Sequence, residues 1–240
     1  MNIKNAVLVV IPARGGSKGI PKKNLSLLHG KTLTEWAILS AFEINYEKKI
    51  ILSSDSQDIL DLSMKFDEVI PSRRPLKLSG DFVADFQVLR HELEQAEARE
   101  LTKFECIVML QPTSPIRNFQ TLNRCVDAVF AGHSSAWTVA PVPVKFHPRK
   151  QLTLLNQSLR LEVDSPLVVA RQELGQTFIR TGVCYALSRE TVLNDETLLG
   201  KNALSIFCDW PSVNIDEPED LIKAQNLSVY YRGRLRPIGE

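Results

Sequence analysis

The chain has 240 residues, 44% hydrophobic and 24% charged, which is enough to bury the core of one large domain. Its 29 Lys and Arg residues balance 28 Asp and Glu residues, and this net charge of +1 offers no general attraction to nucleic acid or an anionic membrane. Any anion site must therefore be local. No apolar run reaches the length of a membrane span, and the residues before the first strand do not resemble a cleavable signal. The four cysteines are widely spaced without a Cys-x-x-Cys pair, so we expect buried, reduced thiols and a cytoplasmic protein.

The first predicted element is a buried strand that runs into a turn rich in glycine and basic residues. The strand covers Ala6 to Ile11, and residues 8–24 read LVVIPARGGSKGIPKKN. The turn matches neither the dinucleotide fingerprint nor the Walker loop in its spacing. The glycines lack side chains that would keep an anion away from the backbone N–H groups, and they are Gly15, Gly16 and Gly19. The cations add positive charge around the same loop, and they are Arg14, Lys18 and Lys23. The segment predicts a site for a polyphosphate at a strand end.

The rest of the chain alternates helices and strands. A capping box at Thr32 and Glu35 starts a crossover helix. The predicted helices are Leu33 to Ile44, Gln57 to Phe66, Asp85 to Glu100, Phe119 to Ala131 and Pro218 to about Tyr231. The predicted strands are Lys49 to Ser54, Glu68 to Ile70, Phe104 to Leu110, Ala136 to Val142, Gly182 to Leu187 and Val213 to Ile215.

This order predicts an α/β fold with a mostly parallel sheet and helices on both faces. The alternation weakens from Pro143 to Gly182, which we interpret as an excursion from the main sheet. Ligands on such sheets bind at the carboxyl ends of the strands. The polar loops that follow the strands should converge there, and they are residues 14–24, 53–55, 73–85 and 111–117.

Three motifs resemble those of the acylneuraminate cytidylyltransferases, the CMP-sialic acid or CMP-nonulosonate synthetase family. They are IPARGGSKGIPKKN at the first turn, LQPTSPIR at residues 110–117 and NIDEPEDL at residues 214–221. The resemblance implies a nucleotide-diphospho-sugar transferase-like fold, with residues 1–240 as one domain and an excursion at about 143–182 used for dimerisation and sugar binding. It also implies transfer of CMP from CTP to the anomeric hydroxyl of a nine-carbon α-keto sugar acid, with Mg²⁺, as a homodimer.

The resemblance also assigns roles to residues of this chain. It implies that Arg14, Lys23 and Asp216 are catalytic, and that Asp216 with Asn214 binds the metal. The implied nucleotide-binding residues are Arg14, Gly15, Gly16, Ser17, Lys18, Lys23, Asn24, Arg74 and Asp85. The implied sugar-binding residues are Gln111, Lys150, Arg171, Arg180 and Tyr185.

Several alternatives stay open at this level. Asp216 and Glu219 have the spacing of a helix N-cap box around Pro218. Asn214 stands where many family members carry a second Asp, and Asp209 is a possible substitute for it. A glycosyltransferase that uses a nucleotide sugar would place an Asp-x-Asp pair after a central strand, where this chain has Gln111-Pro112-Thr113. A non-catalytic relative that binds the nucleotide without metal is the remaining alternative.

Overall fold

The fold is built on one seven-stranded sheet. The structure is a computed structural model that describes residues 6–163, 170–208, 210–231 and 234–237, without the side chains of residues 171, 230, 231, 234, 236 and 237. The sheet strands are β1 (Val7–Pro12), β4 (Lys48–Ser54), β5 (Val69–Arg73), β6 (Cys106–Met109), β7 (Ser135–Pro141), β10 (Phe178–Ser188) and β11 (Ala203–Phe207). Their order across the sheet is β11-β7-β10-β6-β1-β4-β5. Strands β4, β1 and β6 pair in parallel, as does β5 with β4, whereas β10 runs antiparallel to β6.

Short hairpins and helices complete the architecture. The hairpins are β2 (Leu27–Leu28) with β3 (Lys31–Thr32), β8 (Leu152–Leu155) with β9 (Ser158–Leu161), and β12 (Ser228–Tyr231) with β13 (Arg234–Pro237). The α-helices are α1 (Leu33–Phe42), α2 (Gln57–Leu60), α3 (Asp85–Glu100), α4 (Phe119–Phe130), α5 (Arg189–Asn194) and α6 (Pro218–Leu227).

Alternate side chains of the central strand β1 enter two cores on opposite faces of the sheet. Val9 packs in the core that contains residues of α1, α2 and α4. Val10 packs on the other face, in a core with residues of α3 and α5. Both faces of β1 are therefore covered, which explains why its sequence is continuously apolar rather than alternating. The predicted mostly parallel sheet with helices on both faces is confirmed.

Several element predictions are confirmed closely. Helix α3 begins and ends at the predicted residues, and Thr32 and Glu35 form the predicted capping box of α1. All four cysteines are buried and free. Strand β5 extends three residues beyond its predicted end at Ile70, because β4 offers it backbone partners as far as Arg73.

Three element predictions are wrong in part or whole. The predicted helix from Gln57 becomes a 3-10 helix after Leu60. Residues 213–215 form no strand, because Ile215 donates its backbone N–H to the turn residue Thr113 and no strand runs alongside. The last helix ends at Leu227, where a β-branched and aromatic run pairs as β12 instead.

The chain divides into two compact units, and the smaller one is Val139–Arg180. Within it, the β8–β9 hairpin presents leucines on one face: Leu154 lies opposite Leu159, and Leu152 lies opposite Leu161. Leu152, Leu154 and Leu159 are between half and two-thirds exposed. The hairpin therefore carries an exposed apolar face.

Candidate active site

A cavity of about 440 Å³ lies where the central strands of the larger unit end. Pro12 ends β1, Arg74 follows β5 and Gln111 follows β6, so three loops after parallel strands reach the same cavity. Most of the predicted nucleotide-binding residues line it, together with Gln111 and Asp216: Arg14, Gly16, Ser17, Lys18, Lys23, Asn24, Arg74 and Asp85. Residues far apart in the sequence thus share one charged cavity, which is lined by four cations (Arg14, Lys18, Lys23 and Arg74) and four carboxylates (Asp81, Asp85, Asp216 and Glu217).

The basic turn is folded back on itself by local hydrogen bonds. The hydroxyl of Ser17 donates to the carbonyl of Ile20 and accepts the backbone N–H of Lys23 at 3.2 Å. The buried Asn24 amide donates to the carbonyl of Arg14 at 2.8 Å. Asn24 therefore fastens the end of the turn to its beginning, and Arg14, Lys18 and Lys23 line the cavity along the turn.

Gly15 does not line the cavity but holds the turn against the loop that follows β4. Its backbone N–H donates to Asp55 Oδ1 at 2.8 Å, and a Cβ atom at this position would lie 2.7 Å from the Cβ of Ser56. Glycine is thus needed here because the loop after β4 approaches closely.

Asp216 lines the cavity beside the basic turn. Its Oδ1 accepts from Lys23 Nζ at 2.7 Å, and its Oδ2 accepts from the amide of Asn214 at 2.5 Å. The carbonyl oxygen of Asn214 in turn accepts from Ser114 Oγ at 3.3 Å. A Cβ on Gly19 would collide with the backbone carbonyl of Asp216, so the basic turn lies directly against this carboxylate segment.

The N-cap box predicted for Asp216 and Glu219 is wrong by one residue. Helix α6 is capped by Glu217, which pairs with Asp220 in the box. Asp220 Oδ2 also accepts a hydrogen bond from the backbone N–H of Asp216 at 3.2 Å, which fixes Asp216 next to the N-terminus of α6. Since Asp216 does not cap the helix, its side chain remains directed at Lys23 and Asn214.

Asp81 is a cavity residue that the sequence reasoning missed. Its two carboxylate oxygens pair with Arg14 Nη1 and Lys18 Nζ, each at 2.7 Å. These contacts, with Lys18 contributing most, lower the pKa of Asp81. Its place in the predicted convergent loop 73–85, next to Gly80, was the available signal. In this structure the carboxylate of Asp81 therefore forms ion pairs with Arg14 and Lys18, two of the cations that were predicted to bind a polyphosphate.

Arg74 is almost fully buried although it lines the cavity. Its Nε donates to Ser53 Oγ at 3.0 Å and its Nη2 to the Ser53 carbonyl at 2.8 Å. Burial lowers the pKa of this guanidinium, while the nearby Glu92 carboxylate opposes that shift. The side chain is thus locked against β4 instead of extending into solvent.

Gln111 sits between the acidic start of α3 and a glycine of β10. Its Nε2 donates to Asp85 Oδ2 at 3.2 Å, and its backbone carbonyl accepts from the buried Arg117 at 2.6 Å. Burial lowers the pKa of Arg117 to about 10. Gly182 has φ +74°, and a Cβ there would collide with Ser114 and come within 3.1 Å of Gln111 Oε1. Gly182 therefore leaves room for the amide of Gln111.

Four predicted sugar-binding residues remain: Tyr185 in the larger unit, and Lys150, Arg171 and Arg180 in the smaller one. Tyr185 is buried and stacks edge-on against Trp137 with 5.0 Å between ring centroids, away from the cavity lining. Lys150 and Arg180 are exposed residues of the smaller unit. Arg171 opens a 3-10 helix, Arg171–Glu173, and its side chain is outside the described part of the chain. Asp209 also lies outside the described residues.

A phosphate-type turn at a strand end, surrounded by cations and facing a carboxylate, defines a nucleotide-binding α/β protein of the nucleotidyltransferase class. The cytidylyltransferase family model matches residues 8–235, and the chain belongs to this family. Across residues 6–163, 170–208 and 210–231, no helix is long and apolar enough to cross a membrane.

Named relatives agree with this family. The CMP-N,N'-diacetyllegionaminic acid synthase of Legionella pneumophila is 32% identical over 92% of this chain and 95% of its own length. The N-acylneuraminate cytidylyltransferase of Streptococcus agalactiae is 26% identical over 90% of this chain and 51% of its own length. A CMP-2-keto-3-deoxy-manno-octonic acid synthetase solved with CTP superposes with a TM-score of 0.67 at 16% identity, covering 93% of this chain and 98% of that one. The last comparison supports the fold.

Proposed function

We propose that this cytidylyltransferase joins CTP to a nine-carbon α-keto sugar acid. The anomeric hydroxyl oxygen attacks the α-phosphorus and loses its proton, and the bond to the β-phosphate breaks, which releases pyrophosphate and leaves a CMP-linked sugar acid. This displacement builds negative charge on the phosphates and requires no protein nucleophile. Its main needs are cations that hold the triphosphate and an in-line position for the acid.

The observation that carries the proposal is the convergence of four cationic side chains on one cavity at the strand ends. Arg14, Lys18, Lys23 and Arg74 line one open cavity of about 440 Å³, a volume suited to a nucleotide-sized ligand. Arg14 can grip phosphate oxygens bidentately, whereas the lysines act as point charges. With the triphosphate on the basic turn, the acid would approach from the side of Gln111. The proposal keeps Lys150, Arg171, Arg180 and Tyr185 as sugar-side residues on the family resemblance.

A divalent cation such as Mg²⁺ fits the donors at the end of the cavity. Asp216 supplies a hard carboxylate oxygen and lies beside Asn214, and Mg²⁺ commonly combines one or two carboxylates with phosphate oxygens of the substrate. The bound ion would neutralise charge on the phosphates during transfer. Lys23 already contacts the same carboxylate, so the basic turn and the cation would share the triphosphate.

The relatives favour a nonulosonic acid as the acceptor. The Legionella enzyme is named for N,N'-diacetyllegionaminic acid, and the Streptococcus enzyme for N-acylneuraminic acids. These acids differ in substituents that one or two pocket contacts can discriminate. A cytoplasmic location completes the proposal, because its nucleotide substrate is cytoplasmic and the four cysteines are free.

Pyrophosphate release measures the proposed reaction directly. The assay combines CTP, Mg²⁺ and each of a panel of acids: N-acetylneuraminate, N,N'-diacetyllegionaminate, pseudaminate and 2-keto-3-deoxy-manno-octonate. We expect release only when CTP, Mg²⁺ and a nine-carbon acid are all present, with the eight-carbon acid as the matched control. Binding of CTP without turnover on any acid would support the non-catalytic alternative instead.

We also propose that the chain forms a homodimer through the smaller unit. Its support is the face of leucines on the β8–β9 hairpin, at Leu152, Leu154, Leu159 and Leu161. A second copy presenting the same face would cover these side chains by an isologous contact. Light scattering of wild type and of the double variant Leu154→Lys, Leu159→Lys should give a dimer and a monomer respectively. A monomeric wild type would contradict this part of the proposal.

A further inference from the structure

A buried glutamate behind the cavity is connected to Arg74 by a serine. Glu92 lies on α3 and is fully buried, and its Oε1 accepts from Ser53 Oγ at 2.5 Å. Ser53 Oγ in turn accepts from Arg74 Nε at 3.0 Å. With Arg74 Nη2 on the Ser53 carbonyl, two of the three guanidinium nitrogens are held from behind. The third, Nη1, makes no hydrogen bond to any described residue.

Stability alone does not account for this glutamate. Glu92 Oε2 is buried and has no hydrogen-bond partner among the described residues. Burying a charged carboxylate is costly, and apolar residues of similar volume usually stabilise a protein core as well or better than a buried ion pair. We therefore look for the role of Glu92 in its effect on the orientation of Arg74, to which Ser53 connects it. Its charge and the Ser53 hydroxyl keep the guanidinium against β4, which leaves one edge for a ligand in the cavity.

We propose that Glu92 is a positioning residue that acts through Ser53 to hold Arg74 in the orientation that binds the nucleotide. The proposal rests on the cavity being the CTP site. Glu92 itself does not line the cavity. Its role is to make Arg74 rigid before CTP arrives, so that the ordering of a long side chain does not reduce the binding free energy.

A second glutamate on the same helix provides a matched control. Glu97 lies five residues further along α3 and pairs with Arg189 through both oxygens, at 2.7 and 2.8 Å. It also accepts the backbone N–H of Phe104 at 3.1 Å. Neither Glu97 nor Arg189 lines the cavity. Removing its charge tests whether loss of an ion pair on α3 is by itself enough to disturb ligand binding.

The test measures CTP affinity by calorimetry and thermal stability for wild type, Glu92→Met, Ser53→Ala and Glu97→Gln. If Glu92 and Ser53 hold the Arg74 guanidinium in place, losing either one should raise the CTP Kd about tenfold, so we expect that rise in Glu92→Met and in Ser53→Ala. At saturating CTP and sugar acid, kcat should stay within about threefold, because Arg74 is assigned to binding. Glu97→Gln should melt earlier while its Kd stays within about twofold of wild type.

A double-mutant cycle with Arg74→Met separates positioning from a general structural effect. If Glu92 acts through Arg74, adding Glu92→Met to Arg74→Met should change the CTP Kd by less than about twofold and raise the melting temperature. A tenfold loss that persists without Arg74 would overturn the inference. So would an unchanged Kd in Glu92→Met, or an equal loss in Glu97→Gln. A wild type that fails to bind CTP would instead refute the proposed function on which the inference rests.

Discussion

Replacing Gly15 by Ala tests whether the basic turn must lie directly against the loop after β4. The added methyl would come within 2.7 Å of the Ser56 Cβ, whereas ordinary contacts begin at 3.4 Å, so the backbone must move by about 0.7 Å. Ser56 Cβ is fixed to its backbone and cannot rotate away. The shift would also strain the hydrogen bond from Gly15 N–H to Asp55. Because a misplacement of 1 Å can cost about a hundredfold in rate, we expect kcat/KM to fall by roughly 10- to 100-fold.

The assay combines steady-state pyrophosphate release with thermal denaturation. Overpacking at this position should cost about 1–3 kcal/mol of unfolding free energy. Gly16→Ala is the stability control, because a Cβ there meets no atom within 4 Å. We expect the melting temperature of Gly16→Ala to match wild type. If Gly15→Ala also retains the wild-type melting temperature and kcat/KM, the close approach of the two loops is wrong.

Three further predictions follow from individual side chains. Arg14→Lys removes one charged hydrogen bond to phosphate, so the CTP Kd should rise about tenfold in a binding titration, and an unchanged Kd would exclude a bidentate role. Asp216→Ala should reduce kcat about 100-fold or more while CTP affinity changes only a few-fold; a near-normal rate would remove Asp216 from the metal site. Burial raises the pKa of Glu97, but the hydrogen bonds from Arg189 and from the Phe104 N–H outweigh burial and lower this pKa below 4.5. The Glu97–Arg189 ion pair therefore stabilises the folded state above that pH. Denaturant titrations should therefore show Glu97→Gln less stable by about 1–2 kcal/mol near pH 7, with the gap closing as the pH falls below 4.5.

The sequence predicted the fold well where local signals and long-range packing agree. Helix α3 combines an apolar stripe with polar flanks, and β1 has continuous apolar residues because both its faces are covered. The errors occur where pairing depends on a distant partner. Residues 213–215 have the apolar content of a strand but meet the turn at Thr113, and the β-branched run after Leu227 pairs only because β13 returns to it.

In the site, too, the features predicted from the sequence are local ones, and the features missed depend on distant residues. Glycine and lysine spacing identified the basic turn, because its chemistry is contained in one short segment. Asp81 and Glu92 gave no comparable signal, since each acts through a cation more than ten residues away: Asp81 through Arg14 and Lys18, and Glu92 through Arg74. Such pairs become visible only when the fold places the side chains together.

The stoichiometry of the reaction by ³¹P NMR tests the central claim most directly. Wild-type enzyme with CTP, Mg²⁺ and N,N'-diacetyllegionaminate or N-acetylneuraminate should convert each CTP into one pyrophosphate and one new phosphodiester signal, that of the CMP-linked acid. Asp216→Ala under the same conditions should leave CTP intact. CTP that remains unchanged with wild type and every nine-carbon acid, or pyrophosphate that appears without an acid, would contradict the account.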